Sequence, residues 1–306
     1  MIEPPVGSAA VVIVSYNTRD ELLRALRSLD AVTVPLEVVV VDNASADGSP
    51  EAVAAAFPRV RVIRNAVNAG FGAACNQGQA ATTAPFVLYL NSDAELRAGC
   101  LETLLALMHA HRGLGAVGPR TVEDDGAVQV SFGPALTPLR EWRQRRLVRG
   151  VKRRRPGALR AAAAEASFPH QPTWVSASCL LARRTALLAV GGFDEGFFLY
   201  EEDVDLCLRL RQAGWEILFT PAAEAVHHLG RSVAREPERA RFEYHRSHLR
   251  YYAKHNGLLA NVALRGAIAL GAAARWATAL GPGEARAERR ATSRRLAALA
   301  LRGRAR

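Results

Sequence analysis

Four carboxylates fall within five residues of this 306-residue chain, Glu201, Glu202, Asp203 and Asp205. Val204, Cys207, Leu208 and Arg211 follow at three- and four-residue steps, and Ala213-Gly214 closes the run, so the spacing predicts a helix that begins in the acids. At that end the helix dipole favours ionised carboxylates, and Asp205 can pair with Arg209 one turn on. By itself the pattern fits a solvated first turn as well as a site. Aromatics lead directly into it, Phe193, Phe197, Phe198 and Tyr200, which favours a walled pocket for at least one acid. A carboxylate in such a pocket suits a general base or a cation ligand.

A second set of polar residues stands where apolar runs end. Ala9–Tyr16 and Leu36–Val41 read as strands buried on both faces, Val60–Ile63 as a short third and Phe86–Leu90 as a fourth. Helical patterns lie between them, so the first half reads as a parallel α/β sheet. Ser15 and Asn17, Asp42 and Asn43, and Asn91 and Asp93 sit at the carboxyl ends, where open α/β sheets bind ligands. Asp93 can hold a divalent cation that bridges a diphosphate, because hard cations take oxygen ligands and substrate phosphates. In the loop Asn68–Gly72, Gly70 and Gly72 either form a simple turn or let the backbone approach a ligand closely. His227 and His228 close a later strand, as metal ligands or as local hydrogen-bonding groups. No Gly-x-Gly-x-x-Gly opens the first helix and no Gly-Lys-Ser/Thr loop occurs, which argues against dinucleotide and P-loop chemistry.

Composition bounds the partners. The 49% hydrophobic fraction is that of a globular protein, and the four cysteines lack Cys-x-x-Cys spacing, as expected of reduced core thiols. Residues 1–134 carry 9 Lys/Arg against 14 Asp/Glu, so the net charge of +11 belongs to the second half. Cations crowd residues 140–160, interleaved with Trp142, Leu147 and Val151, and recur over 285–306. Such segments are either solvated loops or amphipathic surfaces for anionic lipid or phosphate groups. No nucleic-acid-binding motif accompanies the charge, so no specific nucleic acid is expected. The first residues lack the basic-then-apolar layout of a signal peptide, and no uninterrupted apolar run reaches ~20 residues. The expected location is therefore cytoplasmic and peripheral, on an anionic membrane surface.

In order along the chain, Val12-Ile-Val-Ser-Tyr-Asn17, Val41-Asp-Asn-Ala-Ser45, Asn68–Asn76, Leu90-Asn-Ser-Asp93 and Gly192–Leu206 resemble the inverting glycosyltransferases of family 2, most nearly the bacterial rhamnosyltransferase type. The resemblance implies a GT-A fold, a Rossmann-like, mostly parallel sheet flanked by helices. It covers a domain over 8–255: a nucleotide-sugar half at 8–134, a basic insertion at 135–170 and an acceptor and catalytic half at 171–255. A basic helical extension at 256–306 follows. It implies a dTDP- or UDP-sugar donor bound by Ser15, Asn17, Asp42, Asn68, Gly70, Gly72, Asn91 and Asp93, with Asp42 at the base. Asn91-Ser-Asp93 stands where the family has Asp-x-Asp, which implies Mg²⁺ or Mn²⁺ on Asp93, with His227 of His227-x-x-Gly-x-Ser232 as the late ligand and His228 as the fallback. Glu202-Asp203 matches the catalytic pair, with Asp203 as base. At a helix N-terminus that base is expected to take its proton late in the step. Trp174 and Ser176 match the acceptor side, where Tyr200 and Glu201 are also placed. The acceptor implied is a hydroxyl of a lipid-linked glycan or polysaccharide, and rhamnose is a candidate for the sugar. Ala177 stands where a glycine is usual. A sugar-1-phosphate nucleotidyltransferase on a related sheet and an inactive membrane-surface scaffold are the alternatives.

Overall fold

The computed structural model describes residues 8–228 and 236–302. Eight strands form one sheet in the order β3-β2-β1-β4-β9-β6-β10-β5. They are β1 (Ala9–Ser15), β2 (Leu36–Asp42), β3 (Arg61–Arg64), β4 (Phe86–Asn91), β5 (Ala94–Leu96), β6 (Leu114–Val122), β9 (Cys179–Arg183) and β10 (Glu216–His227). A two-stranded ribbon, β7 (Phe132–Gly133) with β8 (Trp174–Val175), lies beside it. The four strands read from the first half are parallel to one another; β9 runs antiparallel between β4 and β6, and β5 antiparallel to β10.

The apolar runs explain the layering. Ile13, Val40, Leu88 and Leu181 point to one face, where they bury against α1 (Arg19–Ser28) and α4 (Cys100–Ala110) through Leu22, Leu26, Leu101 and Leu104. Val12, Val87, Tyr89 and Leu180 point to the other, against α3 (Phe71–Ala80), α7 (Arg184–Val190) and α8 (Glu202–Gln212). Strands covered on both faces need apolar side chains at every position, which is why they lack polar alternation. α2 (Ser49–Ala56) bridges β2 and β3. All four cysteines are free and buried.

Where the basic stretch could have been a solvated loop, it forms two helices, α5 (Pro138–Lys152) and α6 (Pro156–Glu165). Proline in the first turn starts each of them, where its missing N–H costs nothing. Beyond β10 come α9 (Pro237–His255), α10 (Leu258–Ala277) and α11 (Glu284–Leu301), held together by Leu249, Ile268 and Ala300. α10 is long and apolar enough, by length and average composition, to cross a membrane, although Arg265 and Arg275 interrupt it. Arg265 turns inward and donates to the carbonyls of Leu299, Ala300 and Arg302 at the end of α11.

Register sets the site. Ser15 lies level with Asp42 across β1 and β2, and Val14 with Asn91 across β1 and β4, so the polar strand ends share one edge. His227 pairs with Ala94, which brings it beside Asp93.

Tight packing of α3 on β1 yields a stability test. A Cβ on Gly78 would come 2.3 Å from Cγ1 of Val12, a short buried side chain that cannot swing away. Gly78→Ala should cost about 1–3 kcal/mol despite its better helix propensity, seen as a lower denaturant midpoint with an unchanged slope.

Candidate active site

Three connected cavities run across the carboxyl edge of the sheet. The first, ≈ 160 Å³, lies over β1, β2 and the α3 N-terminus, with Tyr16, Asn43, Asn68 and Gly70 in its wall. Asn91 and Asp93 belong both to this cavity and to the next, of ≈ 680 Å³, which Ser176, Glu202, Asp203 and His227 complete. Asp93 and Asp203 thus flank one space. Ser176, Tyr200 and Asp203 also line a third cavity, of ≈ 830 Å³, that runs out between α5 and α10.

The residues at the nucleotide end divide into those that face the cavity and those that support it. Gly70 has φ +89°, and a Cβ there would lie 2.6 Å from the Phe198 carbonyl, so only glycine fits. Asn68 Oδ1 accepts the Gly70 N–H at 3.0 Å, and Asn43 Nδ2 donates to the Gly70 carbonyl at 3.0 Å. Gly72 faces Phe193 instead and serves the packing of α3. Ser15 is turned to Thr18, which in turn donates to Ser92. Asn17, with φ +55°, accepts from Ala46 and fixes the β2–α2 loop. Asp42 is buried; its Oδ2 accepts the Ser45 N–H at 3.0 Å, and its Oδ1 has no partner.

At the centre, His227 Nε2 is 3.2 Å from Asp93 Oδ1 and 3.3 Å from Asn91 Nδ2. Its other nitrogen, Nδ1, meets Gln129 Oε1 at 3.1 Å, and Gln129 Nε2 donates to the His227 carbonyl. With Nδ1–H donated to Gln129, Nε2 presents a lone pair beside Asp93, the tautomer a cation ligand needs. His228 points elsewhere, between Glu95 and Asp124. Gly230 and Ser232 of the His-x-x-Gly-x-Ser stretch lie outside the described residues. Among the described residues no three His, Cys, Asp or Glu side chains cluster to hold a metal. An Asp and a His alone fit a cation that draws its other ligands from phosphate and water.

The acidic turn is strained and stands in the walls of the second and third cavities. Tyr200 and Glu201 take positive φ, +73° and +66°, a conformation that side chains rarely adopt and that aims consecutive residues into different surroundings. Asp203 Oδ2 accepts the Ala177 N–H at 3.0 Å and Oδ1 the Val204 N–H at 2.8 Å. Burial nevertheless outweighs these bonds and raises the Asp203 pKa, which corrects the expectation of a base weakened by the helix terminus. Glu202 is raised further, by burial and by the Asp203 charge, and its Oε2 has no partner.

Glu201 turns away from that pair and meets His248 Nδ1 at 2.5 Å. His248 Nε2 lies 3.0 Å from Glu141 of α5, which also accepts from Arg145 and from the Tyr252 hydroxyl at 2.5 Å. Although burial opposes it, Glu201 and Glu141 raise the His248 pKa to about 9. The acidic cluster alone could not reveal this chain, whose members lie 47 and more residues apart. Gln129 was equally hidden, since it sits in no chemically suggestive pattern. Arg239, at the start of α9 and beside the first cavity, reads in sequence as an ordinary exposed cation. Trp174 stands on the third cavity with its indole N–H donated to the Pro134 carbonyl.

The comparisons with known proteins agree with this architecture. The family model described as "Glycosyl transferase family 2" matches residues 10–167. The chain is 34% identical over 261 residues to the N-acetylglucosaminyl-diphospho-decaprenol L-rhamnosyltransferase of Mycobacterium tuberculosis, a match spanning 81% of this chain and 85% of that protein. The mannosyltransferase PcManGT from Pyrobaculum calidifontis, solved in complex with GDP-Man and Mn²⁺, superposes with a TM-score of 0.57 at 19% identity, over 95% of this chain and 83% of that one. GalNAc-T7, solved with UDP, GalNAc and Mn²⁺, gives 0.53 at 18% identity over 72% of this chain and 43% of that one. Both structures share the mostly parallel GT-A sheet flanked by helices.

The His248 network sets a pH dependence. A histidine near ~6.5 when unfolded and about 9 when folded contributes stability that is complete below pH ~6.5 and lost as pH rises through about 9. The groups facing it are Glu201, Glu141, Arg145, Tyr244, His245 and Tyr252. The melting temperature should fall across that window by the equivalent of about 2–3 kcal/mol, and His248→Gln should flatten the slope.

Proposed function

The chain belongs to glycosyl transferase family 2 and is a glycosyltransferase, and from that premise we propose that it moves a sugar, with inversion, from a nucleoside-diphosphate donor to a hydroxyl of a cell-surface glycan acceptor. The observation that carries this reading is the cavity in which Asp93 and His227 face Asp203. The likeness to an L-rhamnosyltransferase favours rhamnose as the sugar, and dTDP-rhamnose is the donor proposed. The cationic helices α5 and α11 and the apolar α10 support work at the inner face of a cell membrane, with residues 256–306 as a helical extension of a domain at 8–255.

In this reading the nucleotide lies in the first cavity and its base reaches behind Asn43 to Asp42, whose buried Oδ1 has no partner among the described residues and suits an imide N–H. Asn68, Gly70 and Asn43 shape that cavity. Asp93 and His227 would hold Mg²⁺ or Mn²⁺, which would supply charge neutralisation for the departing diphosphate. The acceptor hydroxyl attacks the anomeric carbon from the Asp203 side as the bond to the diphosphate oxygen breaks. Asp203 receives the hydroxyl proton, the nucleoside diphosphate leaves, and attack opposite the leaving group inverts the centre. The raised Asp203 pKa makes the carboxylate a stronger base than one on an open helix end. Burial and the Asp203 charge both favour the protonated form of Glu202, which limits negative charge against the incoming hydroxyl. Trp174, Ser176 and Tyr200 bound the acceptor side.

Asp203→Asn should lower kcat by about 10²–10⁴ with little change in donor affinity. The acid limb of the wild-type pH profile should lie above the ordinary aspartate range near ~3.9. Chelation by EDTA should abolish transfer and Mn²⁺ restore it in the wild type, whereas Asp93→Asn should need much more Mn²⁺. Near wild-type transfer by a folded Asp203→Asn protein, or a product with retained anomeric configuration by NMR, would sink this reading.

A further inference from the structure

A fourth cavity, of ≈ 230 Å³, is enclosed by α5, α9, α10 and α11 and takes no part in the sugar transfer described above. Its charged and polar lining is Arg145 of α5, Arg241 and His245 of α9, and Arg275 of α10. The rest of its lining is apolar or glycine, Ile268 and Leu296 included, and no carboxylate belongs to it. The volume far exceeds the ~10–15 Å³ that a single water needs.

Cations gathered in this way repel one another, and two groups in the wall register it. Burial and the charges of Arg275 and Arg289 hold Arg241 below the usual guanidinium range. Glu238, the acid that attracts Arg241, is itself paired with Arg275. Burial, together with Arg241, His248 and Arg145, lowers the His245 pKa to about 4, so its imidazole is neutral at neutral pH. A second observation is independent of charge. Three of the four residues carry a buried nitrogen with no hydrogen-bond partner among the described residues: Arg145 Nε, His245 Nδ1 and Arg275 Nη1. Buried polar atoms of this kind are costly and rare, and three of them around one cavity call for an acceptor that the protein itself does not supply.

We propose that this cavity binds a phosphate group, free or as the monoester headgroup of an anionic lipid, held by Arg145, Arg241 and Arg275 with His245 beside it. Guanidinium groups borne on three different helices suit a tetrahedral anion, which offers oxygens on every side. A planar carboxylate is met by the fork of one arginine. The second negative charge of a phosphate also answers a wall without acids. Nothing in the assignment depends on the reading of the central cavity as the transfer site.

Calorimetric titration of the full chain with inorganic phosphate near neutral pH, in EDTA and about 0.15 M salt to screen exposed patches, tests the site without catalysis. Phosphate should bind, and Arg241→Gln, a change at an exposed residue, should weaken it at least tenfold. Arg143→Gln removes an exposed cation of α5 that lies outside the lining and should leave Kd within twofold. By NMR of the wild type, the His245 titration midpoint should rise from about 4 once phosphate saturates the protein, because the anion offsets the repulsion of Arg241, Arg145 and His248. Dihexanoyl phosphatidic acid, titrated as separate molecules below its micelle concentration, distinguishes the two sources. Tighter binding than inorganic phosphate, with the same loss in Arg241→Gln, identifies a lipid headgroup, and equal or weaker binding identifies free phosphate. No binding of either compound, equal losses in Arg241→Gln and Arg143→Gln, or an unmoved His245 midpoint overturns the proposal.

Discussion

Four carboxylates at the start of one largely buried helix cannot all be charged and unpaired. A buried charge without a partner is among the costliest features a fold can carry, and like charges at this spacing raise each other's proton affinity. The surrounding structure meets this constraint by giving each acid a different environment. Asp205 is paired with Arg209, Lys254 and His255 and is held below the usual carboxylate range despite its burial. Glu201 is given His248, Asp203 two backbone N–H groups, and Glu202 only its own backbone N–H, its Oε2 having no partner among the described residues. The turn that leads into this cluster is itself strained, with positive φ at Tyr200 and Glu201.

The sorting also explains why α9 must lie where it does. Its residues supply His248, Lys254 and His255 to the acids, and Lys254 and Arg250 hold Asp194, just before the turn, at about 2 against the effect of burial. Helix α8 and the turn before it are therefore gripped from outside the sheet. On the other side, Arg209 donates to the carbonyls of Val190 and Gly192, and Asn76 of α3 holds Phe193 through two hydrogen bonds. Catalytic precision of this kind needs supporting contacts around the reacting groups, and here those contacts come from ion pairs that simultaneously neutralise the cluster.

The parts of this arrangement that were legible in the sequence are those written in local patterns. Continuous apolar runs announced β1, β2 and β4, and the polar residues at their ends share one edge, because a strand buried on both faces leaves no other place for them. The acids declared a helix N-terminus through the spacing of Val204, Cys207 and Leu208. Partners joined only by the fold were not legible: Gln129 reaches His227 across 98 residues, and Tyr252 reaches Glu141 across 111. The basicity of Asp203 was misread for the same reason. The dipole of its own helix is a local property, whereas the desolvation that outweighs it comes from chain segments far away in sequence. The basic stretch was ambiguous because α5 owes its order to Glu141, a single acid buried among cations, rather than to a wide apolar stripe.

That last point bears on how the two sides of the site communicate. Glu141 is both the anchor of α5 and the far end of the chain from Glu201 through His248. Arg145, its neighbour one turn on, lines the groove between α5 and α10 and also donates to Tyr244 of α9. A group entering the groove therefore meets the same helix that holds the turn before Asp203. Moving α5 would pull on Glu141, release charge from His248 and leave Glu201 unneutralised within reach of Glu202, whose raised pKa already reflects its neighbours. The cost of separating a buried hydrogen-bonded ion pair is several kcal/mol, enough to keep α5 in register with the catalytic turn rather than free to swing as a surface helix. The placement of the groove and the protonation state of the acids are thus fixed by the same buried bonds.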